Sequence, residues 1–345
     1  DIDPRGIKTI ALVGIGGSGK TTLARYYARQ HKASVVAEVD AETNEGLSDS
    51  FERLAKILST TEEDKKSLRK IQDIGFVKER DKQILLFVKE KLKKSPKWLL
   101  IYDNVKNFKD IHEYFPYDSG AWGRGKIIVI TRDKNIQNNS YISSMIEVTE
   151  LTPQEKLDLF VKITGSGISE QYSSDQREEA NTFLKEIPPF PLDVSIAAYY
   201  LKMTKVPYEK YLEHVKDHHQ DFAAVQENVI KEASDYTKTR YGIITLSLDN
   251  IIKTNPDFSS LLLFISLLND QNIPRDLLNA YKNDIVVDKF IYHLKKYSLI
   301  TRESTSPSLT SPLFSIHPST QEVSLDYLQK KLDLKNNREL LNTIV

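Results

Sequence analysis

The sequence has no cysteine, which removes disulfide staples, cysteine-ligated zinc and thiol catalysis from consideration. That fits a reducing compartment, so the expected setting is the cytoplasm of the source cell, or of a host cell to which the protein is delivered. An excess of charge of one sign is also missing. The 48 Lys and Arg residues balance 48 Asp and Glu, so the chain as a whole has no electrostatic reason to coat nucleic acid or anionic lipid. Long apolar runs are absent. The longest, from Leu261 to Leu268 with Ser266 inside it, is far short of the roughly 20 residues a membrane-spanning helix needs, and a soluble chain is expected. No internal repeat or long low-complexity tract occurs. The chain opens on Asp1 without a charged leader and apolar h-region, as expected of a segment starting inside a longer protein.

What is present is length and alternation. At 345 residues the chain has room for two to four modules with their own cores. Residues 7 to about 148 alternate β-rich runs with amphipathic helical runs, the pattern of parallel βαβ units. Thr9 to Val13 and Val35 to Val39 read as strands. Trp98 to Tyr102 and Lys126 to Ile130 are continuous apolar runs, as expected of strands buried on both faces. A short strand near Ile146 and Val148 closes the sheet. Leu47, Phe51, Leu54 and Leu58 mark a helical face. The charged stretch from Glu62 to Lys97 reads as one surface helix, with Ile84, Leu85, Val88 and Leu92 at helical spacing.

Leu151-Thr152-Pro153-Gln154-Glu155 then announces a capped helix start. The expected organisation is a P-loop domain over 1–150, a small helical domain over 151–205, a helical connector over 206–236 and a winged-helix domain over 237–345. In the last, three helices precede two runs, Leu299 to Thr301 and Leu313 to Ile316, which flank a Ser/Thr/Pro loop and can pair as a hairpin.

The strongest chemical signal is Gly14-Ile15-Gly16-Gly17-Ser18-Gly19-Lys20-Thr21-Thr22. It matches G-x-x-x-x-G-K-[ST] between a strand and a helix. Glycines let backbone N–H groups approach phosphate oxygens, and the following helix N-terminus adds partial positive charge. Lys20 is expected to reach the β- and γ-phosphates of ATP, and the Thr21 hydroxyl to ligate Mg²⁺. Asp103, at the end of the Trp98 strand, lies where a second Mg²⁺ ligand is needed. Arg132 ends the next strand on the same sheet edge, in place to feel the γ-phosphate.

In order and spacing these segments resemble the NB-ARC module of STAND signalling ATPases, shared by plant resistance proteins, apoptotic-protease-activating factors and bacterial proteins with tetratricopeptide repeats. The resemblance covers nearly the whole chain. Besides the P-loop it rests on Ala41-Glu42-Thr43, on Trp98 to Val105 as Walker B, and on Gly125 to Arg132 as the sensor-1 strand. Pro189-Phe190-Pro191-Leu192 looks like the GLPL element, and Phe314-Ser315-Ile316-His317 like the start of the MHD element. It implies a switch that is closed with ADP, opens or self-associates on ATP exchange, and uses slow Mg²⁺-dependent hydrolysis. Pro191 would pack on adenine and His317 would touch the β-phosphate of ADP. An upstream effector and a downstream sensor or repeat domain would be partners outside this chain, and neither nucleic acid nor membrane is expected as one.

Three departures stand out. Asn104 replaces a second acid, and an amide cannot take a proton from an attacking water. Pro318 replaces the Asp of MHD. Upstream of the first strand, Arg5-Gly6 is a reversed echo of the family's adenine-contacting Gly-Arg pair. His214 and His218 have the spacing of a helical metal site but lack a third ligand, so a solvated face is expected. Two other functions fit parts of the chain. A small-molecule kinase would need an acceptor pocket and base that the second half does not offer. A winged-helix transcription regulator would use Lys289, His293, Lys295 and Lys296, but Asp284 and Asp288 flank them and no arginine lies between Asp284 and Ile300.

Overall fold

The apolar runs become strands because they are covered on both sides. The computed structural model describes residues 6–165, 172–223, 235–304 and 312–332, and the chain divides into two compact units, Asp1–Thr149 and Glu150–Val345. The first unit contains β1 (Ile7–Val13), α1 (Lys20–Gln30), β2 (Val35–Asp40), α2 (Asn44–Leu58), α3 (Glu62–Gln72), α4 (Val77–Lys94), β3 (Trp98–Val105), α5 (Ser119–Trp122), β4 (Gly125–Thr131) and β5 (Ser144–Glu147). Its five strands form one sheet in the order β2-β3-β4-β1-β5, and every pairing is parallel.

Side chains alternate across that sheet. Leu12, Leu99, Ile101, Ile128 and Ile130 face α1 and pack with Ala24. Val13, Val39, Leu100, Tyr102, Ile127 and Val129 face the other way, into a core shared with Leu47, Phe51 and Leu54 of α2 and Ile84, Val88 and Leu92 of α4. Between Glu62 and Lys97 the expected single helix is two. Thr61 and Asp64 form a capping box that starts α3, Asp73 caps its end, and α4 restarts after Gly75 and Phe76. The periodicity from Ile84 onward belongs to α4 alone. Glycine and the absence of an apolar stripe between Asp73 and Phe76 let the chain turn there.

The second unit contains α6 (Pro153–Thr164), α7 (Ser174–Lys185), α8 (Pro191–Thr204), α9 (Tyr208–Ala223), α10 (Asp235–Thr254), α11 (Asp257–Leu267), β6 (Ile273–Pro274), α12 (Arg275–Asn279), α13 (Asp284–Lys296), β7 (Ile300–Ser304), β8 (Leu313–Ile316) and α14 (Pro318–Lys331). The α6 start is capped as its sequence announces: the Thr152 hydroxyl accepts from Glu155 N, and Glu155 accepts from Thr152 N at 2.8 Å. The β7 and β8 runs pair antiparallel, with β6 on the outer side of β8. One core spans the unit, from Phe160, Phe183 and Tyr211 to Phe258, Phe290 and Leu328. Helix α10 carries no polar stripe because residues 241–249 are buried on all sides, Thr245 and Ser247 included. A helix covered all round has no amphipathic period to read.

Candidate functional site

Strand β1 delivers the chain to the C-terminal edge of the sheet at Gly14, next to the central pairing of β1 with β4. Ligands of open parallel sheets bind at this edge. Gly14 cannot carry a side chain, since a Cβ there would lie 2.5 Å from the carbonyl oxygen of Val148. The loop then turns through Gly17 and Gly19, whose φ values of 82° and 92° are left-handed. Gly19 caps α1 without a side-chain hydrogen bond, and no acid lies in the helix's first turn. The partial positive charge at the N-terminal end of α1 is therefore not offset by an acid of the helix's own first turn, which suits an anion.

Within this loop Lys20 is buried, and its Nζ donates to the carbonyls of Gly14 at 2.8 Å and Ile15 at 2.7 Å. The Ser18 Oγ is buried and has no hydrogen-bond partner among the described residues. Gly16 lies in the loop half-buried, and Thr22 is exposed on the first turn of α1. An ammonium held by its own loop and an orphaned hydroxyl in a ring of glycines both fit a phosphate ligand.

In the first turn of α1, the Thr21 hydroxyl donates to both carboxylate oxygens of Asp103, each at 3.1 Å. Asp103 is 4% exposed, and its carboxyl also accepts from Asn104 N at 3.0 Å. Burial pushes the Asp103 carboxyl up to about 6, the charge of Glu38 adds to this, and Arg25, Thr21 and the Asn104 amide oppose it. Asn104 itself sits at φ 60°, a left-handed backbone that Asn tolerates better than most side chains. No group of three or more His, Cys, Asp or Glu side chains among the described residues could hold a metal ion by itself. Thr21 and Asp103 supply two hard oxygen donors. This suits a cation such as Mg²⁺, which keeps waters and shares its shell with phosphate.

Arg132 is exposed just beyond β4 and makes no hydrogen bond or ion pair among the described residues. Val13 pairs with Thr131 in the β1–β4 register, so the P-loop and Arg132 leave neighbouring strands at the same edge. Lys20, Thr21, Asp103 and Arg132 are thus assembled on one edge of the first unit. Pro191 and His317 belong to the second unit. Pro191 occupies the first turn of α8. The Nδ1 of His317 accepts from Ser319 N at 3.1 Å and caps α14, which leaves Nε2 as the protonated nitrogen of the neutral ring. The side chain of His218 lies outside the described residues, as do Arg5 and the side chain of Pro318.

Sequence pattern alone did not single out Arg25 and Glu38. The Arg25 Nε donates to Glu38 Oε2 at 3.0 Å and its Nη2 to Glu38 Oε1. The signal was present in the alternation of β2, where Ala37 and Val39 face the α2 side and Glu38 faces α1.

Residues 2–169 match the family model of the NB-ARC domain. No curated protein matches the chain. Among solved structures the fold is similar to that of a signal transduction ATPase with numerous domains from Pyrococcus horikoshii, which carries a tetratricopeptide repeat sensor. The TM-score is 0.55 at 16% identity, over 98% of this chain and 42% of that one. The chain thus spans about two fifths of that protein's length. A RuvB mutant of Thermotoga maritima is similar at a TM-score of 0.33 and 13% identity, over 89% of this chain and 84% of that one, too distant to carry an argument. The matched segment takes in the P-loop unit and the first helix of the second, just under half of the chain, and over that segment the chain carries an NB-ARC domain.

Proposed function

We propose that this chain is the ADP/ATP-binding core of a signalling switch, closed with ADP and opening or self-associating when ATP replaces it. The observation that carries the reading is the join between P-loop and β3, where the Thr21 hydroxyl meets the buried Asp103 carboxylate at 3.1 Å. In this reading Gly14, Gly16, Gly17, Ser18 and Gly19 cradle phosphate oxygens with Thr22 at the loop's exit. Lys20 exchanges its loop carbonyls for the β- and γ-phosphates, and Thr21 and Asp103 hold Mg²⁺. The cation, when bound, supplies charge neutralisation of the phosphates.

Arg132 is free to meet a γ-phosphate, and this reading assigns Pro191 to adenine and His317 to the β-phosphate. The second unit comprises a small helical domain and a winged-helix domain in this reading. Asn104, which cannot act as a base, keeps hydrolysis slow. A hydrogen bond to a charged group contributes about 1.5–3 kcal/mol, while moving a population from 1:99 to 99:1 takes about 5.5 kcal/mol. The Arg132 contact alone therefore does not open the core, and sensor or effector regions outside this chain must contribute the rest.

The test is the nucleotide that co-purifies with the chain, released by denaturation and identified by chromatography. ADP is expected. Finding GDP, or no nucleotide together with no binding of added ADP, overturns the reading.

A further inference from the structure

We propose that Glu38 is a positioning residue of the cation site: by holding Arg25 in a two-pronged ion pair, it keeps a guanidinium off Asp103. The inference rests on the reading of Thr21 and Asp103 as cation ligands.

The geometry is local. Arg25 lies four residues beyond Thr21 on α1, so the two side chains share a helix face. Thr21 reaches Asp103 on β3, and Arg25 reaches Glu38 on β2, the strand beside β3. Glu38 pairs with Ile101 in the β2–β3 register. Ile101 and Asp103 are two residues apart, so Glu38, Ile101 and Asp103 lie on the α1 face together. Both members of the pair are largely covered, with side-chain exposures of 22% for Arg25 and 13% for Glu38.

An arginine on the helix face whose Thr21 already reaches a buried carboxylate would ordinarily be drawn to it. Among the described residues the Asp103 oxygens accept from a hydroxyl and one backbone N–H, which leaves lone pairs for a cation. Glu38 accounts for this, because it occupies the Arg25 fork from the other side. Removing one partner of a covered ion pair leaves the other charge uncompensated. Without Glu38 the five N–H donors of Arg25 are released toward the strand ends where Asp40 and Asp103 pair in register, and a guanidinium on Asp103 competes directly with a metal ion. Without Arg25, Glu38 remains as extra negative charge beside the site, which favours a cation. The two single substitutions therefore act in opposite directions. A pair that merely stapled α1 to β2 would give two variants that fail in the same way.

The test uses the 345-residue chain and a fluorescent N-methylanthraniloyl derivative of ADP, titrated with Mg²⁺ and in EDTA. E38Q should raise the half-saturating Mg²⁺ concentration about five- to ten-fold, the size of one charge moved within a covered site. R25Q should leave that concentration unchanged or lower it, and R25Q/E38Q should return it to within about two-fold of wild type, since two removed charges nearly cancel. Affinity in EDTA should not separate the four proteins. Unchanged Mg²⁺ dependence in E38Q overturns the inference, as does a loss shared equally by E38Q and R25Q, or a double variant no better than E38Q. A wild-type chain that binds the probe without any effect of Mg²⁺ overturns the metal-site reading, and this inference with it.

Discussion

Each unit buries a lysine held by two backbone carbonyls and an aspartate, but their surroundings differ. Lys20 bonds Gly14 and Ile15 in a loop at the sheet edge, whereas Lys156 bonds Leu184 and Ile187 at the closed end of α7. Asp103 accepts from a hydroxyl and a backbone N–H. Asp193, fully buried, faces the fork of Arg240, which also lies over the Phe190 ring at 5.5 Å. Burial pushes both carboxyls up, and at Asp193 the Arg240 charge opposes it. A buried charge with a full partner is part of the framework. One left with spare lone pairs at a sheet edge is where a ligand belongs.

Breaking the framework pair should have the largest effect. Asp193→Ala removes the carboxylate from a covered, two-pronged ion pair and should cost about 3–5 kcal/mol of stability. Both tryptophans, Trp98 and Trp122, lie in the first unit, so their fluorescence reports that unit alone. The urea transition followed by ellipticity should shift further than the one followed by tryptophan; equal shifts would argue that the pair is not a local feature of the second unit.

Asp103→Asn should do the reverse in metal-free buffer. Burial pushes the wild-type carboxyl up to about 6 in the folded chain, from an ordinary value of 3.8. Protonation therefore favours the folded state: this group's contribution rises as pH falls from about 7 to 4, and at neutral pH the ionised carboxylate costs about 3 kcal/mol at most. Asp103→Asn should be more stable than wild type at pH 7, with the advantage gone by pH 4, while nucleotide binding loses its Mg²⁺ dependence. Tryptophan-monitored urea melts across that range check the sign, and a variant less stable than wild type at pH 7 would contradict it.

Lys20→Ala should lower ADP affinity by about 100-fold, the loss of a charge-assisted phosphate contact. Lys156→Ala should leave ADP affinity near wild type and cost about 2–3 kcal/mol by leaving two carbonyls unpaired. Isothermal titration and ellipticity melts on both variants separate these outcomes. The smallest effect is expected at His317, where Asn replaces the imidazole while preserving the cap of α14. His317→Asn should speed ADP release several-fold with little change in melting, and His317→Ala should add a cap loss of about 1 kcal/mol. Stopped-flow release of the fluorescent analogue is the measurement, and unchanged rates would remove His317 from the switch.

The parallel sheet was legible because strands buried on both faces are continuous apolar runs, and Trp98 to Tyr102 and Lys126 to Ile130 read as such directly. The P-loop was legible because its glycines answer to backbone geometry within nine residues. The α6 start was legible because a capping box is a contact between near neighbours. The break between α3 and α4 was not, since Gly75 sits in a charged stretch where either outcome is locally tolerable. Helix α10 escaped notice for the opposite reason: burial on every side erased its period.

By itself, then, the sequence determined the elements whose causes lie within a turn or a strand: the sheet's buried runs, the glycine loop, and the placing of Lys20 and Thr21 at the start of α1 and of Asp103 and Arg132 at strand ends. Tertiary structure decided which charges meet. That Arg25 takes Glu38 rather than Asp103, and that Arg240 crosses 47 residues of chain to Asp193, depends on which strand and helix lie side by side. A side chain's partner is set by a distance in space, and spacing along the chain fixes that distance only within a single element.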